Sequence, residues 1–217
     1  MNKYLVCLFA ALTGLASVPP TLAQQVASLA AEPVVIAPAE SALARTIKQG
    51  LSAAYYGARK DTAAYAEGQK LYFFYGSRHF EPIWLDEDAD GQVSFSAPAQ
   101  KILALFQSAA SEGLRPGDYL TPDLDVTTVG KDPIRMAALE TAFSRVTMRY
   151  ASDIYTGRIV PSSISADLDI TPKKLDEAGL LVQLATSDDP VKVLNALEPT
   201  HPEFLALKAA LANFDQT

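Results

Sequence analysis

The sequence predicts an all-α protein, an irregular multi-helix domain that follows a cleavable signal peptide. Apolar residues recur every three or four positions along several stretches, which is the spacing of one face of an α-helix. Capping residues and prolines stand where these stretches begin. No stretch alternates between apolar and polar residues for long enough to predict a sheet.

The first 23 residues have the three parts of a secretory signal peptide. Lys3 supplies the positive charge, residues 4–15 are apolar, and residues 21–23 form a small-residue cleavage site. The apolar run is shorter than the roughly 20 residues that a membrane-spanning helix needs. We therefore expect export to the periplasm, cleavage after Ala23, and no stable membrane span afterwards. A retained N-terminal anchor and lipidation at Cys7 are the alternatives.

Residues 24–40 are rich in alanine, valine and proline, lack a helical period, and predict a flexible leader. Removal of residues 1–23 takes away one lysine and no acid, so the net charge changes from −7 to −8. An acidic chain without basic clusters is not expected to bind nucleic acid. The only cysteine, Cys7, lies in the signal peptide, so apolar packing must hold the domain without disulfides.

The folded domain is expected over residues 41–214. One face of its first helix comprises Leu43, Ile47, Leu51 and Tyr55. Asp61 is expected to cap a second helix. The inward residues of that helix are Ala64, Leu71, Phe74 and Tyr75.

Ser96 at the N-cap and Pro98 in the first turn predict a third helix. Its apolar face comprises Ile102, Leu105, Phe106 and Ala109. Gly113 followed by Leu114 predicts that the helix stops at a left-handed glycine. Residues 115–130 contain proline and glycine in turn-like pairs and predict a loop.

An acidic turn before the third helix matches the first half of an EF-hand calcium loop. Asp86, Asp88 and Asp90 have the alternating spacing of calcium ligands, and Gly91 follows them. Ala97 stands at the twelfth position, where a bidentate glutamate would close the site. The simpler interpretation is a solvated turn with Gly91 in the left-handed conformation. Calcium is the alternative, and no metal or other cofactor is predicted.

Asp132 and Pro133 predict the start of the longest helix, and Gly157 predicts its end. Its apolar stripe comprises Met136, Leu139, Phe143, Val146, Tyr150 and Ile154. Several charged residues lie along or near it: Arg145, Arg149, Arg158, Asp118 and Asp153. We expect these residues to form ion pairs within the domain rather than a ligand site.

Three further helices are predicted. The first carries Leu180, Leu181 and Leu184, and the second begins with Asp189 as its cap and Pro190 at its first position. The last extends over residues 202–213. Its apolar residues lie on one side: Phe204, Leu207, Leu211 and Phe214.

The only tryptophan, Trp84, lies close in sequence to Phe74, Arg78 and Phe80. These side chains form either a platform for a sugar or a protein partner, or a corner of the core in which Arg78 stacks on the indole. The core interpretation is favoured, and Arg78, Phe80 and Trp84 are the binding candidates of the alternative.

The two histidines, His79 and His201, are isolated from each other and from other ligand types, so they do not predict a zinc site. His79 stands at the expected end of the second helix, where its ring can satisfy carbonyl groups of the last turn. His201 precedes the proline that starts the last helix. Structural roles are therefore expected for both.

Four segments together resemble the N-terminal scaffold domain of the long, multidomain L,D-transpeptidases, enzymes that cross-link bacterial peptidoglycan. Residues 73–94 read FFYGSRHFEPIWLDEDADGQVS, and residues 111–119 read SEGLRPGDY. Residues 150–161 read YASDIYTGRIVP, and residues 198–211 read EPTHPEFLALKAAL. The segments follow the order of the family, and the resemblance covers nearly the whole chain after the leader.

The resemblance implies a helical body in the periplasm that precedes a peptidoglycan-binding module and a catalytic domain. Catalysis in that family uses a cysteine thiolate in a Ser-His-Gly-Cys sequence. This chain has no such sequence, and neither of its histidines is followed by glycine. We therefore expect no enzyme activity from it.

The expected function is that of a non-catalytic periplasmic scaffold domain that acts in peptidoglycan cross-linking and cell-wall assembly by binding a protein partner. The expected partner is the catalytic domain of an L,D-transpeptidase. Two alternatives stay open: the chain is the N-terminal part of a truncated L,D-transpeptidase, or it binds peptidoglycan directly.

Overall fold

The computed structural model describes residues 36–165, 167 and 171–214. The expected signal peptide and residues 24–35 of the expected leader lie outside this range. The described residues form seven α-helices and one short hairpin, which confirms the all-α class. None of these helices is both long enough and apolar enough to cross a membrane.

The helices are α1 (Ala42–Gly57), α2 (Ala63–Gly76), α3 (Ala97–Gln107), α4 (Pro133–Tyr155), α5 (Glu177–Thr186), α6 (Pro190–Asn195) and α7 (Pro202–Phe214). The strands are β1 (Leu85–Glu87) and β2 (Val93–Phe95). Short 3-10 turns occupy much of the loop between α3 and α4.

Three of the four predicted helix caps are confirmed. The side chains of Ser96, Asp132 and Asp189 each accept a hydrogen bond from a backbone N–H in the first turn of the helix that follows. The start of α2 differs from the prediction, because Thr62 accepts from Tyr65 N at 3.2 Å and is the cap. Asp61, one residue earlier, instead forms an ion pair with Arg59 at the surface.

Helix α4 lies in the core and organises the aromatic residues around it. Its Phe143 is completely buried and packs on Trp84, with 4.9 Å between the ring centres. Nearer its C-terminal end, Tyr150 contacts Phe106 of α3 and Tyr119 of the following loop, at 5.2 and 5.1 Å. Helices α1 and α5 also pack against α4. The predicted apolar stripe of the longest helix is therefore the centre of the core.

The hairpin was not predicted. Leu85 pairs with Phe95 and Glu87 with Val93 in an antiparallel ladder. With only three residues in each strand, an alternating pattern is too short to recognise in the sequence. Ser96 connects the hairpin to α3, because its hydroxyl donates to the Ile83 carbonyl at 2.9 Å while its side chain caps the helix.

Residues 36–40, the last part of the expected flexible leader, pack against the end of α2. Ala37 N donates to the Gly76 carbonyl at 2.8 Å, and Ile36 lies over Gly76, where an added Cβ would approach it to 2.6 Å. The His79 ring nitrogen Nδ1 lies 3.0 Å from the carbonyl of Pro38, not near the last-turn carbonyls as expected. Residues 36–40 of the expected leader therefore contact the end of α2, and Ile36 packs in the space beside Gly76.

Candidate functional site

The three binding candidates lie in or against the core. Trp84 is 1% exposed and Phe80 is completely buried. The guanidinium of Arg78 lies over the ring of Phe74, 5.8 Å from its centre, and not over the indole as expected. The rings of Phe80 and Trp84 have no face open to a sugar or a partner. The geometry is that of a core corner, which corrects the platform alternative.

A buried carboxylate that was not among the predicted site residues holds this corner in place. Glu140 of α4 accepts hydrogen bonds from the Tyr75 hydroxyl at 2.7 Å and from Ile83 N at 2.8 Å. Its second oxygen accepts from Trp84 N at 3.1 Å. Ser144, one turn further along α4, lies 2.8 Å from both the indole Nε1 and the Tyr75 hydroxyl. We call Glu140, Ser144, Tyr75 and Trp84 the Glu140 node.

Burial favours the protonated form of Glu140 in this node. Burial raises the pKa of Glu140 to about 7, although the hydrogen bonds from Ile83, Tyr75 and Trp84 act in the opposite direction. Burial and the neighbouring carboxylate also raise the pKa of Tyr75 well above its usual value. Because Glu140 and Ser144 are completely buried, the node has a structural role and offers no acid or base to a substrate. Their spacing of four within an apolar helix face was the available sequence signal.

A second polar network joins the loop after α3 to the end of α4. Arg158 contacts Asp118 at 2.7 Å and Asp153 at 3.8 Å. The hydroxyl of Tyr119 donates to Asp153 at 2.6 Å. These contacts agree with the internal ion pairs expected for Arg158, and they fasten two of the four family-like segments to each other.

Of the two arginines that were named with Arg158 and lie on α4, Arg145 forms an ion pair within the domain, as expected, and Arg149 forms none within the described residues. Arg145 pairs with Glu67 of α2 at 2.6 Å rather than with Asp118 or Asp153. The side chain of Arg149 forms no hydrogen bond, ion pair or aromatic contact within the described part of the chain.

The acidic turn is organised by its own backbone. One carboxylate oxygen of Asp88 accepts hydrogen bonds from Asp90 N at 2.9 Å and from Gln92 N at 2.8 Å. Gly91 has a φ of 73°, the left-handed conformation that the turn interpretation expected. Asp86 lies in the hairpin ladder opposite Ser94. Over the described ranges, no three histidine, cysteine or acidic side chains converge as a metal site would require.

Helix α7 has no buried residue, although its sequence has a predicted apolar stripe. Leu205 and Leu207 are 49% and 71% exposed. The exposed, uncharged residues in the middle of the helix are Leu205, Ala206, Leu207, Ala209, Ala210 and Ala212. We call these six residues the α7 apolar surface.

A narrow contact attaches α7 to the rest of the domain. Lys208 forms ion pairs with Glu112, at 2.7 Å, and with Glu198. Leu211 lies against Gly113, where an added Cβ would be 3.6 Å from its side chain. Gly113 has the predicted left-handed conformation, with a φ of 71°, but it ends the 3-10 turn Ala109–Glu112, because α3 itself ends earlier, at Gln107. Phe204 is half-buried, whereas the six residues of the α7 apolar surface are exposed.

A family model described as a scaffold domain matches residues 69–211, which is about two thirds of the chain. The match begins in α2 and ends in α7, so it includes the Glu140 node, the Arg158 network and most of the α7 apolar surface. No curated protein and no solved structure matches the chain.

Proposed function

The chain belongs to the family of scaffold domains that form the N-terminal part of L,D-transpeptidases, and from this membership we propose that it acts in the periplasm as a non-catalytic scaffold in peptidoglycan cross-linking. In this role it binds the catalytic domain of an L,D-transpeptidase. The α7 apolar surface is the observation that carries the proposal.

Two physical arguments support a partner on α7. A helix that borders water usually carries several charged side chains on its outer side, whereas Glu203 is the one exposed charged residue within Pro202–Phe214. A helix of this length is also only marginally stable by itself in water, because most helical stability comes from packing. A second protein surface on α7 supplies that packing and removes the leucines from solvent.

Family membership supports the choice of partner. Scaffold domains are the non-catalytic part of L,D-transpeptidases, so the natural counterpart of an exposed scaffold surface is the catalytic part. That catalytic part can be a separate protein or a later part of the same polypeptide, as in the truncated-enzyme alternative. The contact with α7 is the same in both cases.

Binding between the full chain without residues 1–23 and a purified L,D-transpeptidase catalytic domain tests the proposal. We expect Leu207→Glu to weaken binding at least about tenfold, because it places a charge in an apolar contact. Val182→Glu is the matched control, since Val182 is an apolar residue of α5 that is 50% exposed and lies outside the proposed surface.

Two outcomes contradict the proposal. One is equal binding by the wild type and the Leu207→Glu variant, which would place the contact elsewhere. The other is sedimentation of the chain with purified sacculi without any protein partner, together with no binding to the catalytic domain. That result would favour the direct peptidoglycan-binding alternative.

A further inference from the structure

A cleft of about 370 Å³ opens where α2, α4 and the start of α5 meet. Helix α2 contributes Ala63 and Ala66 to its lining, and α4 contributes Arg149 and Ser152. Because the two alanines have short side chains, space is left between the helices. The volume lies at the small end of the range for ligand pockets, about 300 to 1,000 Å³.

Four of the charged side chains in this cleft are already paired. Lys70 of α2 bonds to Glu177, the first residue of α5. Arg145 of α4 bonds to Glu67 of α2 at 2.6 Å. These two pairs join the helices around the cleft. Within each pair the positive and the negative charge neutralise each other.

Arg149 is the cationic side chain that the cleft leaves unpaired, judged within the residues that the structure describes. A guanidinium presents N–H donors in a planar fork that fits the two oxygens of a carboxylate or a phosphate. Ser152 follows three residues later on the same face of α4, so a hydroxyl donor lies beside that fork.

We propose that this cleft binds a small molecule through a single carboxylate or phosphate group, with Arg149 as the residue that holds the oxyanion. Glu67 and Glu177 are paired with Arg145 and Lys70, and Asp153, the third carboxylate in the cleft, lies 3.8 Å from Arg158 outside it. Arg149 therefore leaves one uncompensated positive charge, which suits a ligand with one negative group rather than a polyanion. The site does not depend on α7 or on the proposed partner.

Calorimetric titration of the full chain without residues 1–23, in a buffer free of phosphate and carboxylate, tests the site. The two probes are acetate and inorganic phosphate, titrated separately, so the result identifies which oxyanion is preferred. We expect saturable binding of at least one probe with a Kd of about 1 mM or below. Arg149→Gln is expected to weaken that binding at least about tenfold, because it removes the charge and the fork.

Arg115→Gln is the matched control. Arg115 and Arg149 are both exposed, and neither side chain forms a hydrogen bond, ion pair or aromatic contact in the described part of the chain. Arg115, however, lies in the loop after α3. Loss of binding in Arg115→Gln as well would show that the probes respond to the positive charge of the whole surface and not to the cleft. The proposal is overturned by that result, by unchanged binding in Arg149→Gln, or by the absence of saturable binding of both probes up to about 10 mM. Circular dichroism establishes that each variant is folded.

Discussion

At the scale of single residues, the buried polar atoms of α4 hold the aromatic corner in position through hydrogen bonds. Glu140 accepts hydrogen bonds from two backbone N–H groups, and a third comes from Tyr75, so removal of the side chain would leave several buried donors unpaired. Ionisation of the same carboxyl group is opposed by its burial. The node therefore stabilises the fold most when Glu140 is neutral.

Glu140→Gln should reduce the dependence of stability on pH. The pKa of Glu140 is raised from 4.5 to about 7 in the fold, so its favourable contribution is complete below about pH 4.5. That contribution is lost as the pH rises through about 7, and its upper limit is on the order of 3 kcal/mol. We expect the Tm of the wild type to fall more between about pH 5 and pH 8 than that of the variant.

Glu203→Gln is the control for this experiment, because Glu203 is an exposed glutamate of α7. Its pH dependence should equal that of the wild type. Parallel curves for the wild type and Glu140→Gln would contradict the assignment.

Ser144→Ala and Thr147→Val should affect the free energy of unfolding differently, although the two residues are buried on the same helix. Ser144→Ala leaves the indole N–H of Trp84 without its acceptor, so we expect a loss of about 1–3 kcal/mol in the free energy of unfolding. The hydroxyl of Thr147 has no hydrogen-bond partner in the described structure, so Thr147→Val should be neutral or stabilising. Urea denaturation measures both, and equal losses would contradict this account.

At the scale of secondary structure elements, the sequence predicted those with long patterns and clear ends. Helix α4 was predicted from Asp132 to Gly157 because its stripe extends over several turns and both ends carry a signal. The hairpin was missed because a three-residue strand has no visible period. The stripe of α7 was recognised, but periodicity shows only that a face is apolar and does not show what covers it. Glu140 was not predicted as a site residue, because its position among the core residues of α4 does not distinguish it in the sequence.

Lys208→Met should loosen α7 without unfolding the rest of the domain. It removes both ion pairs and leaves Glu112 and Glu198 without their shared cation, at a cost of about 1–2 kcal/mol for these partly exposed groups. We expect hydrogen exchange of the α7 amides to become about tenfold faster, while the amides of α4 stay protected. Lys60→Met, at an exposed lysine before α2, should change neither. Equal acceleration in α4 and α7 would show that α7 is part of the cooperative core.

The acidic turn is expected to show no rise in Tm with millimolar calcium, because Asp88 already accepts two backbone hydrogen bonds within the turn. Asp88→Ala should lower stability by about 1 kcal/mol with or without calcium. A rise in Tm that this variant abolishes would instead establish a calcium site at Asp86, Asp88 and Asp90.

At the scale of the whole molecule, the four family-like segments connect the domain internally. Residues 73–94 are held to α4 by Glu140. Residues 111–119 are held to residues 150–161 by the Arg158 network, and to residues 198–211 by Lys208. These segments could therefore identify the fold and the family, yet they say little about a binding site. The cleft at Arg149 lies between helices, and sequence spacing does not show which helices meet.

We expect the isolated chain to self-associate weakly at high concentration through the α7 apolar surface. The exposed residues of the α7 apolar surface carry no charge that would repel a second copy, although the net charge of the chain is negative. Sedimentation velocity across a concentration series should show the association for the wild type and its reduction for Leu207→Glu. Because Leu207 is 71% exposed, the variant should keep the Tm of the wild type. Identical sedimentation of the wild type and Leu207→Glu would contradict self-association through the α7 apolar surface.

The position of Trp84 gives the protein a built-in optical probe. It is the single tryptophan of the chain, it is 1% exposed, and its indole N–H is bonded to Ser144 inside the core. Its fluorescence emission therefore comes from one dry, hydrogen-bonded environment and shifts to longer wavelength only when water enters that corner. Detachment of α7 does not change the surroundings of Trp84. Tryptophan emission therefore reports unfolding of the core, and hydrogen exchange of the α7 amides reports detachment of the last helix.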